Sequence, residues 1–465
     1  MTESDSNAAA SSRSKSASEV DDAKKGKGTT AESSILRDAR VWWLLLFPLV
    51  SLSGYAIARP SVESLFVEAY SAKALPYGWL AVAVAALASV SVYNRALGRF
   101  SLGEIIPRAC GIFALVLVVL WLGVWSEIPG AQFFLYVWKD TYVVVLVEVF
   151  WSFANATFAL KSARWLYGTF CAMGALGGVL GSWWVGLLSD SVGALFSPLF
   201  TLPSLLLCGL IGVALQGDGD VKKRNAPPEE INDATTTTTQ GSFSEGLRVL
   251  RKSDYLVALL VVILLVQVVV NLVDFQFQSY AEQLFPGASE RQKMTGSVYG
   301  YIEGAALILQ LLTFFIVQTL GVGGTLRSIP MLIGAGLVWF LLAPSFLVMG
   351  VVKVASKSLD YSLNRAVKEM LYLPLSIEEK TAGKSIVDML TYRMSKGIAS
   401  VLAIGLGALG VGIAEVTWVN LFIVLLWFVA VVVVIRNYRR VLLQKKADSV
   451  DDVALVDSGA TKKAV

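Results

Sequence analysis

Charged side chains interrupt several of the most apolar stretches of this chain, and their spacing gathers them on shared faces. Around Asp274 the polar residues Gln267, Asn271 and Gln278 recur at intervals of 4, 3 and 4, which is one side of a helix. Tyr299 and Glu303 share a second face, and Lys353, Lys357, Asp360, Asn364 and Lys368 form a third stripe. Asp140, Glu148 and Asn155, with Lys139 beside them, make a broad fourth face, and Tyr55 and Arg59 close an earlier apolar run. A charge at the centre of a membrane-spanning helix costs roughly 2.5–3.5 kcal/mol on insertion scales, so one that is kept lines a wet cavity or pairs with another. Basic groups facing carboxylates suit an anionic or zwitterionic solute. Arg59, Lys139, Asn155, Asn271, Lys353, Lys357 and Asn364 are therefore candidate solute contacts. Asp140, Asp274, Glu303 and Asp360 are candidate coupling or gating groups. The same charges also fit buried ion pairs that fix helix register, or side chains that reach the interface.

Other chemistry is excluded. The chain has no histidine, which removes Ser-His-Asp and Cys-His nucleophiles and His-ligated zinc. Proton work falls to carboxylates or lysines. Cys110, Cys171 and Cys208 lie in apolar segments without metal-ligand spacing and read as small core residues. Gly174-Ala175-Leu176-Gly177-Gly178 has no lysine at its end, so it is no phosphate loop, and no cofactor is expected.

The elements that must position these groups are helices in lipid. Of the 465 residues 55% are hydrophobic and only 16% charged, against roughly 25% in a soluble domain. Mean hydropathy is +0.64. The net charge of +4 gives no reason to expect a nucleic-acid partner. Segments of about 20 apolar residues fall at 41–58, 77–93, 106–125, 133–158, 165–188 and 197–215, then at 255–278, 297–319, 328–343, 346–373, 386–411 and 417–435. The expected fold is all-α, twelve transmembrane helices as two six-helix repeats, the layout of the major facilitator architecture. The divisions are a disordered tail at 1–36, a six-helix half at 37–216, a polar linker at 217–253, a second half at 254–443 and a disordered tail at 444–465. Lys and Arg gather before the first span, after even-numbered spans, in the linker and after the last span, which puts both termini in the cytoplasm. A weak internal echo links Gly174, Gly177, Gly178 and Gly181 of the fifth span with Gly397, Gly405 and Gly407 of the eleventh. Small residues there allow close helix approach, for sliding helices or for ordinary packing.

A run at 368–375, Lys368-Glu369-Met370-Leu371-Tyr372-Leu373-Pro374-Leu375, is followed by Lys380, Gly383-Lys384, Asp388, Arg393 and Ser395-Lys396-Gly397. This order resembles the "KEMxYxPL", "K-x-x-GK-x-x-x-D" and "R-x-GK" pattern of the ATP/ADP translocases of plastids and obligate intracellular bacteria. Tyr136-Val137-Trp138, leading to Phe150-Trp151-Ser152-Phe153-Ala154-Asn155, is similar to the "FWGFAN" region of that family, and Asn271-Leu272-Val273-Asp274 to its "NLVE". The resemblance implies a nucleotide exchanger, with functional carboxylates at Asp140 and Asp274 and a functional lysine at Lys396, which joins the candidate contacts. It departs where the "RDxKD" pattern meets Arg59-Pro60-Ser61-Val62-Glu63, and where "NLVExxxK" meets Gln278. Both departures remove positive charge that would neutralise phosphates. A less highly charged substrate, such as a mononucleotide or another organic anion, stays open.

The first reading is thus a non-enzymatic antiporter of nucleotides or a related organic anion, working by alternating access. It is expected to be a monomeric multi-pass protein of a bacterial inner membrane, with the lipid bilayer and a small anionic solute as its partners. A carboxylate-coupled proton symporter of an uncharged or zwitterionic solute is the alternative. An integral-membrane lipid enzyme, from another class, lacks a clustered catalytic motif.

Overall fold

The computed structural model describes residues 39–97, 99–157, 164–217, 243–376, 379 and 383–461, and every regular element among them is helical. The expected tail at 1–36, the loop around Lys161 and most of the 217–253 linker lie outside the described residues. The first group of helices is α1 (Ala39–Tyr70), α2 (Leu75–Leu97), α3 (Leu102–Trp125), α4 (Ala131–Thr157), α5 (Arg164–Ser191) and α6 (Thr201–Ala214). An amphipathic helix, α7 (Phe243–Lys252), precedes the second group. That group is α8 (Asp254–Leu284), α9 (Ala288–Leu342), α10 (Phe346–Leu359), α11 (Arg365–Tyr372), α12 (Lys384–Ala408) and α13 (Val416–Thr461).

Each apolar segment expected from sequence coincides with one of these helices, with part of one or, at 346–373, with the α10–α11 pair. Eight are long and apolar enough to cross a membrane. One of the eight, α9, would be about 80 Å long if straight, far more than the roughly 30 Å hydrocarbon core. It breaks at Gly321, whose φ of 70° suits glycine, and so supplies two arms. Three helical segments fall short of that standard: α4, the α10–α11 pair and α12. They hold much of the charge described below.

Three expectations need correction. The first helix does not end at residue 58 but runs on to Tyr70 through Pro60. Pro60 cannot donate to the Ala56 carbonyl, yet the helix continues, with Ser61 Oγ back-bonding to the carbonyls of Ile57 at 3.0 Å and Ala58 at 2.9 Å. At the other end of the chain α13 continues through Thr461, where a disordered tail is expected from 444. The stretch Gln444-Lys445-Lys446-Ala447-Asp448 is rich in helix formers, and no Gly or Pro interrupts it before Gly459. The third correction is in the glycine echo. A Cβ on Gly177 or Gly181 would collide with the carbonyl oxygen of Leu49 or Ser53, so α5 packs backbone-to-backbone on α1. Gly397, Gly405 and Gly407 have nothing that close, so the repetition in sequence is not one in packing.

Within the first group α1 packs on α4, α5 and α6, and α3 on α4 and α6. Within the second, α8 packs on α10, α12 and α13. The groups meet where α9 lies against α1 and α5 and where α2 lies against α12. Large side chains such as Phe47, Phe153, Phe340 and Trp427 fill the interior. Trp183, Phe314, Leu342 and Leu347 face outward, as lipid-facing residues do.

Candidate functional site: a charged cavity between the two helix groups

A cavity of about 670 Å³ lies between the groups, within the size range of small-molecule sites. Nine candidates from the sequence line it: Arg59, Asp140, Asn271, Asp274, Glu303, Lys357, Asp360, Asn364 and Lys396. The polar face of α8 is used as its spacing requires. Gln267 donates to Asp360 Oδ2 at 2.9 Å, Asn271 and Asp274 face the cavity, and Gln278 donates to Glu63 Oε2 at 3.0 Å.

Its deep end is a network of ion pairs. Lys139 Nζ lies 2.9 Å from Asp140 Oδ1 and 3.4 Å from Glu63 Oε1. Glu63 is also 3.4 Å from Arg59 Nε, and it accepts the Tyr299 hydroxyl at 2.6 Å. Arg59 stacks over the Tyr299 ring at 3.8 Å. Lys353 Nζ is 2.6 Å from Asp274 Oδ1 and 3.9 Å from the centre of the Phe277 ring. Tyr55 donates to Asp140 Oδ1 at 3.1 Å.

Lys139 and Lys353 do not reach the cavity, contrary to their reading as solute contacts. Their side chains are 1% and 0% exposed. Each is committed to a carboxylate, because a bare ammonium in an apolar wall is too costly to keep. Asn155 also stands apart and is exposed, as is Glu148. The reason is angular. At about 100° per residue, positions 148 and 155 are turned about 80° and 60° away from 140, whereas 147 and 151 return to its direction. Val147 and Trp151 accordingly line the cavity with Asp140. Cys171 is a further correction, since it is exposed and lines the cavity while Cys110 and Cys208 are buried.

Toward the other end the side chains are wetter. Lys396 Nζ is 3.6 Å from Asp140 Oδ2 and 25% exposed, and Lys368 pairs with Asp388 at 3.0 Å with exposures of 22% and 39%. Lys357 and Arg365 line the cavity with no salt bridge among the described residues, as does Glu303. Asp360 is held by Gln267 and, at 2.8 Å, by Asn364, with no salt bridge among the described residues. Phe150, Trp151 and Phe170 form an aromatic cluster on its lining, and Tyr55 and Tyr361 line it too.

The sequence reading passed over Glu63, Arg365 and the aromatic cluster as site features. Glu63 lay beyond the expected end of the first helix. Arg365 follows a π turn over Asp360–Asn364, which shifts the phase of the stripe and hides its direction.

Two groups of helices around a charged central cavity make a fold similar to that of solved major facilitator transporters. The nucleoside transporter NupG superposes with a TM-score of 0.65 at 10% identity, covering 85% of this chain and 99% of its own. The description "TLC ATP/ADP transporter" belongs to the family model that matches residues 130–345 and 332–438, and the chain belongs to that family. ADP,ATP carrier protein 1 of Chlamydia muridarum is 26% identical over 298 residues, which span 57% of this chain and 56% of the carrier. The plastidic ATP/ADP-transporter of Solanum tuberosum is 24% identical over 323 residues, 63% of this chain and 51% of its own.

Proposed function

We propose that this protein exchanges nucleotides, or a closely related organic anion, across a membrane by alternating access. The observation that carries the proposal is the pairing of an aromatic cluster with cations that form no salt bridge among the described residues. Lys357 and Arg365 face the same cavity as Trp151 and Phe170. Aromatic faces stack bases regardless of their identity, and guanidinium and ammonium groups take phosphate oxygens. Membership of the ATP/ADP transporter family supports the same reading. In it Arg59, Lys357, Lys396, Asn271 and Asn364 contact solute, with Lys139 and Lys353 as buried counter-ions, and Asp140, Asp274, Glu303 and Asp360 serve gating or coupling. Twelve spans, two six-helix halves, a monomer and cytoplasmic termini in a bacterial inner membrane complete the proposal.

The test is uptake of labelled nucleotide into liposomes, preloaded with unlabelled nucleotide or empty. Preloaded vesicles should take up the label at least tenfold faster. A second reading, proton symport, has one observation in its favour: Glu303 lines the cavity without a salt bridge among the described residues. Strong uptake into empty vesicles that collapses with a protonophore would establish that reading and defeat exchange.

A further inference from the structure

At the end of the bundle away from Lys368 and Asp388 the two helix groups exchange contacts in a reciprocal pattern. Glu68 lies near the end of α1, the first helix of its group, and Glu282 near the end of α8, the first spanning helix of the other. Glu68 Oε1 accepts the backbone N–H of Ala288, where α9 begins, at 3.1 Å. Glu282 Oε2 accepts the N–H of Ala72 at 2.9 Å and the Ser71 hydroxyl at 3.1 Å, in the turn leading into α2. Each carboxylate therefore caps the start of the helix that follows the other. A carboxylate is favoured there because the first N–H groups of a helix lack partners within it and carry partial positive charge.

Between them lies Arg291, 1% exposed as a residue. It donates to the Ser64 carbonyl in the opposite group at 2.9 Å and to the Pro286 carbonyl at 2.6 Å. Gln292 donates to Ser197 Oγ at 2.8 Å and Ser289 Oγ accepts the Ala194 N–H at 3.1 Å, so the seal extends to the turn before α6. None of these residues lines the cavity.

We propose that Glu68 and Glu282 form a reciprocal latch that holds the cavity shut at this end, with Arg291 as its buried anchor. Rigid-body rocking of one group against the other must break both caps together to open this face. Their two-fold arrangement makes them release as one step.

The inference rests on the transport reading only in that it concerns a change of access, and its first test needs no substrate. Cys171 reports that change, being exposed and lining the cavity while the other two cysteines are buried. In sealed vesicles of both orientations, a membrane-impermeant thiol reagent added on the Glu68 and Glu282 face should label the wild type slowly. The Glu68→Ala, Glu282→Ala double variant should label at least tenfold faster from that face. Wild-type rates from both faces in the double variant would overturn the latch. Should that variant fail to fold, Ser71→Cys with Glu282→Cys serves instead. Closing that disulfide should stop exchange reversibly while Cys171 stays reachable from the opposite face, and full exchange across the closed bridge would overturn the proposal. Absence of exchange in every form, with the labelling result intact, would count against the nucleotide reading and leave the latch standing.

Discussion

Two lysines one turn apart on α10 meet different fates, and the difference is testable. Lys353 is sealed against Asp274 at 2.6 Å, whereas Lys357 faces the cavity with no salt bridge among the described residues. Replacing Asp274 by Ala strands a buried ammonium, at a cost of about 3–5 kcal/mol. Asp274→Ala should therefore lower the melting temperature of the detergent-solubilised protein by several degrees, and adding Lys353→Met should restore most of it. Lys357→Ala should leave the melting temperature within a degree or two of wild type while abolishing uptake. Equal thermal losses in the two single variants would show that Lys357 is structural as well. Cys171 offers a second check at this scale. Nucleotide at saturating concentration should slow its reaction with an anionic thiol reagent several-fold, and unchanged labelling would argue against binding beside Trp151 and Phe170. The polar face of α8 was plain in the sequence, because one carboxylate and three amides at helical spacing survive in an apolar run only where they meet polar surroundings. The sequence could not separate Lys353 from Lys357, since both belong to one stripe and only the depth of the partner carboxylate decides which one is buried.

At the scale of the helix, close packing and capping follow different rules on the two sides of the molecule. Gly177 of α5 lies where a Cβ would strike the backbone of α1, and a backbone cannot yield as a side-chain tip does. Gly177→Ala should cost about 1–3 kcal/mol of stability by overpacking. Gly405→Ala on α12 meets open space, and its effect should lie between neutral and a gain of about 1 kcal/mol from helix propensity. Thermal unfolding of the two variants side by side checks this, and similar losses would mean that α12 is packed as tightly as α5. The positions of the helices were legible from hydropathy alone. Their ends were not always so, as Pro60 shows, since α1 runs on through it to Tyr70. Nor were contacts such as Glu68 with Ala288, whose partners lie 220 positions apart in the chain.

For the whole molecule, most lysines in and around the cavity are paired with acidic groups. Lys139, Lys353 and Lys396 already have carboxylates, and the bond of Lys396 with Asp140 joins α12 to α4 across the two groups. An anionic solute can compete for Lys396 and so loosen a contact that otherwise holds the groups together. Asp140→Asn should accordingly weaken the dependence of uptake on preloaded substrate, read as a smaller ratio between preloaded and empty vesicles. An unchanged ratio would remove this bond from the coupling.

The π turn at Asp360–Asn364 carries its own consequence. A single widened turn inside a helix is the mark of one residue inserted and absorbed, with everything after it rotated by about 100°. That rotation aims Lys368 at Asp388, 3.0 Å away, and brings Arg365 to the cavity. Excising one residue from this turn would leave a regular helix of nearly the same composition whose second half looks the wrong way.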